Sequence, residues 1–433
     1  MKHICAVLCA IGSAAAAQTG SPTRAQYEAD LKAAMSVIQA NTVLQGPEQI
    51  TMSAQHIPGN TNWVNAGKGV CDPAAAYGKL RACIWNNAGA MNAYTDALRR
   101  AGASAIDINF DPLVLSAASQ YQPPAAYRIA SDCPGGWECG TLANYDALIQ
   151  HAVSLGLKVK LRPNPDTVAA AARLTASNTL ADLENWILPL YAAAAARWGA
   201  SIDSFTVVHE VVGAFGTGVP FPLTVPAVST FVRDAAATVK GRNPAIRVGA
   251  TAETMFSADG AYFYSYLTLG LDYVGVDLYG SSCDVKDYPG TAMATAGIWA
   301  TAAAKAGVRI EVEEAARPRW LPYACPMPSE NFAIEGAGDM DWVQDGADAA
   351  WLNAVVPALA AQGYRMFSLF PSAPLIWATT DHANDNMQAG SYARDVMSNL
   401  GGLTSTGKAF ASAGALVNGN RVNTIVPTRR PLR

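Results

Sequence analysis

Two short segments end in acidic residues that can act together on one bond. Residues 205–213 run through a β-branched stretch to His209-Glu210, and residues 307–315 run through a similar stretch to Glu313-Glu314. Two carboxyl groups that face one bond can divide the work of breaking it. One donates a proton to the leaving group, while the other attacks or activates water.

Both segments belong to a chain that alternates between β-like and helical stretches. Strands are predicted at residues 49–56, 104–109, 157–162, 204–210, 246–251, 273–279, 308–314 and 364–370. Helices rich in Ala and Leu are predicted at residues 88–100, 142–155, 180–198, 225–240, 260–267, 291–305 and 347–362, with a closing helix at 391–400 or beyond and an additional N-terminal helix at 24–39. This alternation indicates a parallel sheet built from βα units.

Eight strand–helix repeats predict the α/β class, as a single (β/α)8 TIM barrel that spans residues 18–433. A doubly wound open sheet is the alternative, but no glycine-rich phosphate loop follows an early strand. Catalytic side chains of a barrel project from the C-terminal ends of its strands. The polar residues at those predicted ends are His56, Asn109, Arg162, His209, Glu210, Asp277, Tyr279, Glu313 and Glu314.

A glutamate at the end of strand 4 and another at the end of strand 7 resembles the glycoside hydrolases of clan A, the 4/7 superfamily. In the order of strands and helices, the resemblance covers nearly all of residues 18–433. In sequence motif, it covers only the two short segments that end in these glutamates. Members usually carry Asn-Glu on strand 4, so the match makes Glu210 the acid/base and puts His209 in the place of the Asn that holds the sugar 2-hydroxyl. The second Glu of a strand-7 doublet is usually the nucleophile, which matches Glu314.

The choice between Glu313 and Glu314 also depends on strand periodicity. Strict alternation puts Glu314 on the face of Ile310 and Val312, with Glu313 on the opposite face. We predict Glu314 as the nucleophile and keep Glu313 as the second candidate.

The resemblance implies a retaining mechanism, with a glycosyl-enzyme formed on Glu314 and released by water that Glu210 activates. It also implies that Tyr279 touches the nucleophile, and that Arg162 and Asn109 lie beside it or in the next subsite. His56 is a further candidate for substrate contact. For each of these four residues, a structural role in the barrel rim is the alternative.

Longer insertions are predicted after strands 1, 2, 6 and 7, where disulfides would hold a substrate-binding rim in shape. Aromatic residues near these insertions or near strand ends are candidates for sugar stacking, because a sugar ring presents an apolar face to them. Trp377 is the first choice, since members of the clan often stack a sugar on a strand-8 tryptophan, and Trp320 is the second. Packing within a loop is the alternative for each of them.

The N-terminus predicts export. Lys2 and His3 precede a short apolar run and then small residues up to Ala17, which is typical of a signal peptide over residues 1–17. Without Cys5 and Cys9, the mature chain keeps an even number of cysteines, which favours disulfides in an exported protein. These cysteines are Cys71, Cys83, Cys133, Cys139, Cys283 and Cys325. Nearest-neighbour pairing would close three local loops, although the sequence leaves the pairing open.

Several other classes of function are disfavoured. The net charge of −4 is spread along the chain, without a basic run for nucleic acid, and no later stretch predicts a membrane span. His209-Glu210 begins like a zinc protease motif, but residue 213 is Gly where the second zinc ligand is needed. The cysteines lack zinc-site spacing. Residues 381–386 are rich in oxygen ligands but lack the EF-hand pattern, so neither a metal nor a cofactor is predicted.

The sequence therefore predicts a secreted, monomeric retaining β-glycoside hydrolase that acts on a polysaccharide or its oligosaccharides. A β-glucan, mannan, xylan or galactan is the expected substrate, by endo or exo action. A non-catalytic carbohydrate-binding barrel is the main alternative, although a binder has no need of two crowded acids. A metal-dependent amidohydrolase is a weaker one, because the mature chain has no H-x-H motif.

Overall fold

A computed structural model of the 433-residue chain provides the structure. It describes residues 24–44, 49–56, 88–110, 112, 114–115, 142–163, 168–169, 172–212, 219–254, 259–279, 285–315, 348–369, 403 and 405–419. The predicted signal peptide, the six cysteines of the mature chain, Trp320, Trp377 and the 381–386 loop lie outside these residues.

Eight parallel strands form a closed barrel in sequence order, which confirms the predicted (β/α)8 architecture. The strands are β1 (Thr51–Gln55), β2 (Ala105–Phe110), β3 (Lys158–Pro163), β4 (Ser204–Thr206), β5 (Arg247–Glu253), β6 (Tyr273–Leu278), β7 (Arg309–Ala315) and β8 (Met366–Leu369). Strand β8 pairs with β1, as Met52 opposite Phe367 shows, and this pairing closes the ring.

The helices surround the barrel near the predicted positions. Among the described residues they are α1 (Arg24–Ala40), α2 (Ala88–Arg100), α3 (Leu142–Ser154), α4 (Leu180–Trp198), α5 (Val225–Arg242), α6 (Asp259–Tyr266), α7 (Ala292–Ala306), α8 (Ala349–Ala361) and α9 (Ser405–Val417). Helix α9 packs on α8 after β8 and is the closing helix, while residues 391–400 lie outside the described chain. None of the described helices combines the length and apolar character needed to cross a membrane.

Alternation along the strands gives the barrel an apolar outside and a polar inside. In β2, the apolar Ile106, Ile108 and Phe110 belong to the hydrophobic core, whereas Asp107 is a buried polar neighbour. Asp107 approaches Arg162 of β3, with Oδ1 3.0 Å from Nε. The inward positions therefore carry charges that face one another across the barrel.

Strand β4 is shorter than predicted. It ends at Thr206 rather than at residue 210, although Val207 still donates to Gly249 O at 2.8 Å and Val208 O still accepts from Thr251 N at 2.9 Å. The extended backbone cannot continue to Glu210, because Glu210 has a φ of +48°. The segment that carries this acid is a turn held against β5 and not a regular strand.

Candidate active site

The glutamate pair of β7 is divided between two levels of the barrel by a β-bulge. Val276 of β6 pairs with Val312, but the next residue of β6, Asp277, pairs with Glu314 and leaves Glu313 without a register partner. An extra residue in one strand re-aims the side chains that follow it. Both glutamates are therefore buried among inward-facing polar groups, at 0% and 1% exposure.

Glu313 lies in what we call the lower layer of the barrel interior. This layer consists of Lys160, Thr206, Arg247, Tyr273, Glu311 and Glu313. Lys160 Nζ donates to Glu311 Oε2 and to Glu313 Oε1, both at 2.8 Å. Arg247 Nη1 donates to Glu311 Oε1 at 2.6 Å. Burial alone would raise the pKa of Glu313, but the charges of Lys160 and Arg162 hold it below its ordinary value.

A glycine of β6 leaves the space that Glu313 occupies. A Cβ atom at Gly275 would lie 2.7 Å from Glu313 Cγ and Cδ and 2.5 Å from Thr251 Oγ1. Thr206 Oγ1 lies 2.9 Å from Glu313 Oε2 and 3.0 Å from Oε1, so the hydroxyl donates to the carboxylate on its other side. Glu313 is thus held by structural contacts below the strand ends.

Glu314 lies in the upper layer, at the C-terminal ends of the strands. This layer consists of Arg162, His209, Glu210, Asp277, Tyr279 and Glu314. Arg162 Nη1 lies 2.7 Å from Glu314 Oε1, and Gln55 Nε2 donates to the same oxygen at 3.2 Å. Tyr279 OH donates to Glu314 Oε2 at 2.5 Å. Burial alone would raise the pKa of Glu314, but Arg162, His209 and the Tyr279 hydroxyl hold it below its ordinary value.

Glu210 has the opposite electrostatic character. Its side chain is 9% exposed, and no hydrogen bond joins its carboxyl group to another residue within the described part of the chain. Burial is the largest cause that raises the pKa of Glu210 to about 8. Asp277 and Glu314 act in the same direction, while His209 and Arg162 oppose them. Glu210 is therefore protonated under conditions in which Glu314 is ionised.

The two carboxyl groups lie close together. One nitrogen of His209 and one carboxylate oxygen each of Glu210 and Glu314 all lie within 4.8 Å of one another. These three side chains could in principle hold a metal ion. However, the Arg162 guanidinium lies 2.6 Å from His209 Nε2 and 2.7 Å from Glu314 Oε1, and a cation at that place disfavours a second one.

His209 lies between Arg162 and Asp277 through its Nε2 atom. This atom lies 2.6 Å from Arg162 Nη1 and 2.9 Å from Asp277 Oδ2. The guanidinium of Arg162 can only donate, so Nε2 accepts this hydrogen bond, and the Asp277 carboxyl group is a close neighbour of the ring rather than its hydrogen-bond partner. Burial raises the pKa of Asp277 well above its ordinary value, and the Glu314 carboxylate acts in the same direction.

Asn109 and His56, two other residues predicted to contact substrate, differ in their position relative to the acids. Asn109 is the register partner of Arg162, is 5% exposed, and has an Oδ1 atom without a hydrogen-bond partner among the described residues. His56 instead packs outwards against α2, with Nε2 2.9 Å from Thr95 Oγ1 and its ring edge-to-face with Tyr94. The structure thus places Asn109 beside the acid site but does not bring His56 to it.

Sequence reasoning missed several buried polar residues around the site. Glu253 at the end of β5 is 2% exposed, and burial and the Glu210 carboxyl raise its pKa to about 10. The predicted strand stopped at residue 251, two positions short of it. The prediction also misses Asp259, which begins helix α6, and the strand residues Gln55 and Asp107, whose side chains lie inside the barrel. Continuing the apolar run 246–252 to its first acid would have found Glu253.

Comparison with known proteins gives a clear result only at the level of structure. No protein-family model matches the chain, and no curated protein matches it. Many similar solved structures are described as mannanases, xylanases or β-glycosidases, and GH5, GH10 and GH26 members of glycoside hydrolase clan A are among them.

Three of these structures illustrate the level of similarity. An endo-1,4-β-mannanase from Rhizomucor miehei is 11% identical, with a TM-score of 0.48, 82% of this chain covered and 97% of that chain. A GH5_18 protein from Streptomyces cattleya, in complex with Manβ1-4GlcNAc, is 15% identical, with a TM-score of 0.49 and coverage of 88% and 83%. The catalytic domain of a GH26 endo-β-1,4-mannanase from Bacillus sp. JAMB-750 is 12% identical, with a TM-score of 0.44 and coverage of 90% and 90%. Because one barrel fold hosts many activities, the function of this chain has to be argued from its side chains.

Proposed function

We propose that the chain is a retaining β-glycoside hydrolase in which Glu210 is the general acid/base and Glu314 is the nucleophile. One observation carries the proposal: two buried carboxyl groups, with pKa values shifted in opposite directions, lie within 4.8 Å of one another. A pair of carboxyl groups whose environments separate their pKa values is suited to divided acid and base roles.

The spacing of the two acids favours retention over inversion. Retaining glycosidases keep their carboxyl groups about 5–5.5 Å apart, whereas inverting ones need roughly 6.5–9.5 Å to admit a water molecule between the general base and the sugar. Oxygen atoms of Glu210 and Glu314 lie within 4.8 Å of each other. This short distance between the carboxyl oxygens supports direct attack of Glu314 on the anomeric carbon.

In the first half of the proposed reaction, Glu210 donates its proton to the glycosidic oxygen as the C–O bond breaks. A carboxyl group with a pKa of about 8 still carries that proton at neutral pH. Glu314 attacks the anomeric carbon as a carboxylate and forms the glycosyl-enzyme. Arg162, Gln55 and Tyr279 orient its two oxygens and keep it ionised.

In the second half, Glu210 has lost its proton and takes one from a water molecule. This water attacks the anomeric carbon, the bond to Glu314 breaks, and the sugar leaves with its original anomeric configuration. The released carboxylate of Glu314 again accepts a hydrogen bond from Tyr279 and pairs with Arg162. The same contacts therefore serve both steps.

The substrate that we propose is a β-linked polysaccharide, such as a β-glucan, mannan, xylan or galactan, or its oligosaccharides. Two tryptophans of the sequence, Trp320 and Trp377, are the candidates for stacking on sugar rings. We further propose that the protein acts as an exported monomer held by disulfides, because of the signal-like residues 1–17 and the even cysteine count in the rest of the chain.

The test is hydrolysis of a panel of β-linked polysaccharides and aryl β-glycosides by the wild-type chain, Glu210→Gln and Glu314→Gln. We expect wild-type activity and a loss of about 10²–10⁴-fold in kcat for Glu210→Gln, the usual worth of a general acid. NMR of the first product formed should show the β anomer. Azide should partly restore cleavage of an aryl glycoside by Glu314→Gly.

Glu184→Gln is a matched control, because Glu184 belongs to helix α4 and the charges that act on its carboxyl group are those of Arg233 and Asp234 in α5. It should hydrolyse at the wild-type rate. Full activity in Glu314→Gln, or an α anomer as the first product, would contradict the assignment. Carbohydrate binding without hydrolysis of any sugar would favour the non-catalytic barrel.

A further inference from the structure

Asp259 links the segments that follow β4 and end β5. It is the first residue of helix α6, and its side chain is 0% exposed. Its Oδ1 accepts a hydrogen bond from Val212 N at 3.2 Å, and its Oδ2 accepts one from Glu253 N at 2.9 Å. One buried carboxylate thus satisfies two backbone amides that belong to different strand ends.

The first of these amides lies two residues after Glu210, whose backbone is in the left-handed region at φ +48°. This conformation is sterically unfavourable for a non-glycine residue, so the surrounding contacts have to hold it. On the N-terminal side, Val207 N donates to Gly249 O and Val208 O accepts from Thr251 N. On the C-terminal side, the bond from Val212 to Asp259 provides the fixed point.

The second amide belongs to Glu253, which is the last residue of β5 and has a buried side chain. Its backbone also pairs with Asp277 of β6, which lies 2.9 Å from His209 Nε2. The carboxylate of Asp259 therefore holds the backbone at two places beside the upper layer. One is Val212, two residues after Glu210, and the other is Glu253, the register partner of Asp277.

We propose that Asp259 is a positioning residue for Glu210: its carboxylate holds the left-handed turn that directs the Glu210 side chain to within 4.8 Å of Glu314. This inference rests on the proposed function, since it assigns Asp259 to the acid/base of that reaction. Asp259 acts through the backbone and has no contact with the reacting atoms.

The decisive variant is Asp259→Asn, which preserves the shape of the side chain but has one acceptor oxygen in place of two. One of the two amides then faces an NH2 group and loses its bond. Because a displacement of about 1 Å at a catalytic group costs up to about 10²-fold in rate, we expect kcat to fall between about 10-fold and 100-fold. KM should stay within about 2-fold, since the change displaces a group needed in the transition state.

Asp272→Asn is the matched control. Asp272 Oδ2 accepts from Val248 N at 2.7 Å, so it holds the opposite end of the same strand β5, away from the acids. It also pairs with Lys240 at 2.6 Å. Both contacts use Oδ2, so Asp272→Asn can keep the bond to Val248 and loses mainly the charge that faces Lys240. It should leave kcat, KM and the pH profile unchanged.

Two measurements do not depend on turnover. Hydrogen exchange at Val212 and Glu253 should become faster in Asp259→Asn, and the Glu210 carboxyl should titrate at a different pH by carbon NMR because it no longer lies in the same place. If Asp259→Asn folds poorly, the same measurements are made on Asp259→Ser, which keeps one acceptor oxygen.

Lower kcat with constant KM, faster amide exchange and a moved Glu210 titration would support the inference. Wild-type kcat and an unmoved Glu210 titration in a folded Asp259→Asn would overturn it, even with faster exchange. If the wild-type chain hydrolyses no sugar, the proposed function fails, and the NMR titration still decides whether Asp259 positions Glu210.

Discussion

The two layers of the barrel interior contain the same kinds of residue but differ in how their charges are balanced. In the lower layer, Lys160 and Arg247 bind the two carboxylates of Glu311 and Glu313 at distances of 2.6–2.8 Å. In the upper layer, Arg162 faces the acids Glu210, Asp277 and Glu314. The upper layer has an excess of acids, so some of them keep a proton at neutral pH.

The comparison is sharpest at the adjacent residues Glu313 and Glu314. Their pKa values are both held low, by Lys160 in one case and by Arg162 and Tyr279 in the other, after burial has acted against both. Both carboxylates have partners, Glu313 in Lys160 and Thr206 and Glu314 in Arg162, Gln55 and Tyr279. However, Glu314 also lies within 4.8 Å of Glu210, which keeps a proton. Full pairing produces a structural element, and an excess of acid next to a paired carboxylate produces a site for proton transfer and attack.

The largest expected effect comes from Glu314→Ala in the upper layer. We expect kcat on an activated aryl β-glycoside to fall by at least about 10³-fold, because the covalent intermediate can no longer form. The melting temperature should fall less than in Lys160→Met, because Arg162 keeps Asp107 as a partner and the loss of one acid relieves repulsion with Asp277. Steady-state kinetics and thermal unfolding on the same samples provide the check, and a large loss of stability would place Glu314 in the structural class.

Lys160→Met breaks the lower layer. It leaves the buried carboxylates of Glu311 and Glu313 without their shared ammonium group, so the free energy of unfolding should fall by about 3–5 kcal/mol. The control is Lys158→Met on the same strand, whose side chain is 56% exposed and lies 3.9 Å from Asp203. The control should cost less than about 0.5 kcal/mol. Equal unfolding midpoints of the two variants in urea would contradict the balanced-charge account.

Tyr279→Phe should move the acidic side of the pH profile of kcat/KM. In the wild type this limb reports ionisation of Glu314 and should lie below the ordinary 4.5, while the alkaline limb reports Glu210 at about 8. The hydroxyl favours the charged form of Glu314, so its removal raises the pKa and shifts the acidic limb upward by about one unit. Tyr264→Phe, at a tyrosine that is 49% exposed, should leave both limbs in place.

The smallest effect is expected for Glu253→Gln. The pKa of Glu253 is about 10, so this residue is neutral while Glu210 titrates at about 8, and a neutral amide preserves its charge state. The alkaline limb of kcat/KM should therefore stay within about 0.3 unit of the wild-type position. A shift to lower pH by a full unit would mean that Glu253 is charged beside Glu210, because the loss of a like charge lowers the pKa of its neighbour.

The sequence predicted the barrel and the elements that carry the acids because these depend on local patterns. Alternating short apolar runs and Ala-rich helices gave eight strands whose closed order the structure confirms. The same pattern placed Glu210 and Glu314 near strand ends. Whether these two residues carry the catalytic roles remains a prediction for the experiments above.

The strand alternation that favours Glu314 does not match the geometry of β7. Strict alternation would align Glu314 with Ile310 and Val312, yet both of these belong to the hydrophobic core outside the barrel. The bulge at Glu313 brings Glu314 inward. A bulge depends on the pairing with β6 and on the space beside Gly275, neither of which is visible in residues 307–315 alone.

The sequence by itself determined the order and type of the elements, since hydrophobic periodicity is a property of neighbouring residues. Tertiary structure decided which acids are charged and which are paired. Lys160 meets Glu313 across 153 positions of the chain, and His56 turns outwards to Thr95 rather than into the site. Burial and the charges that approach from distant strands set the pKa of Glu210 and of Glu314, and both exist only once the barrel has closed.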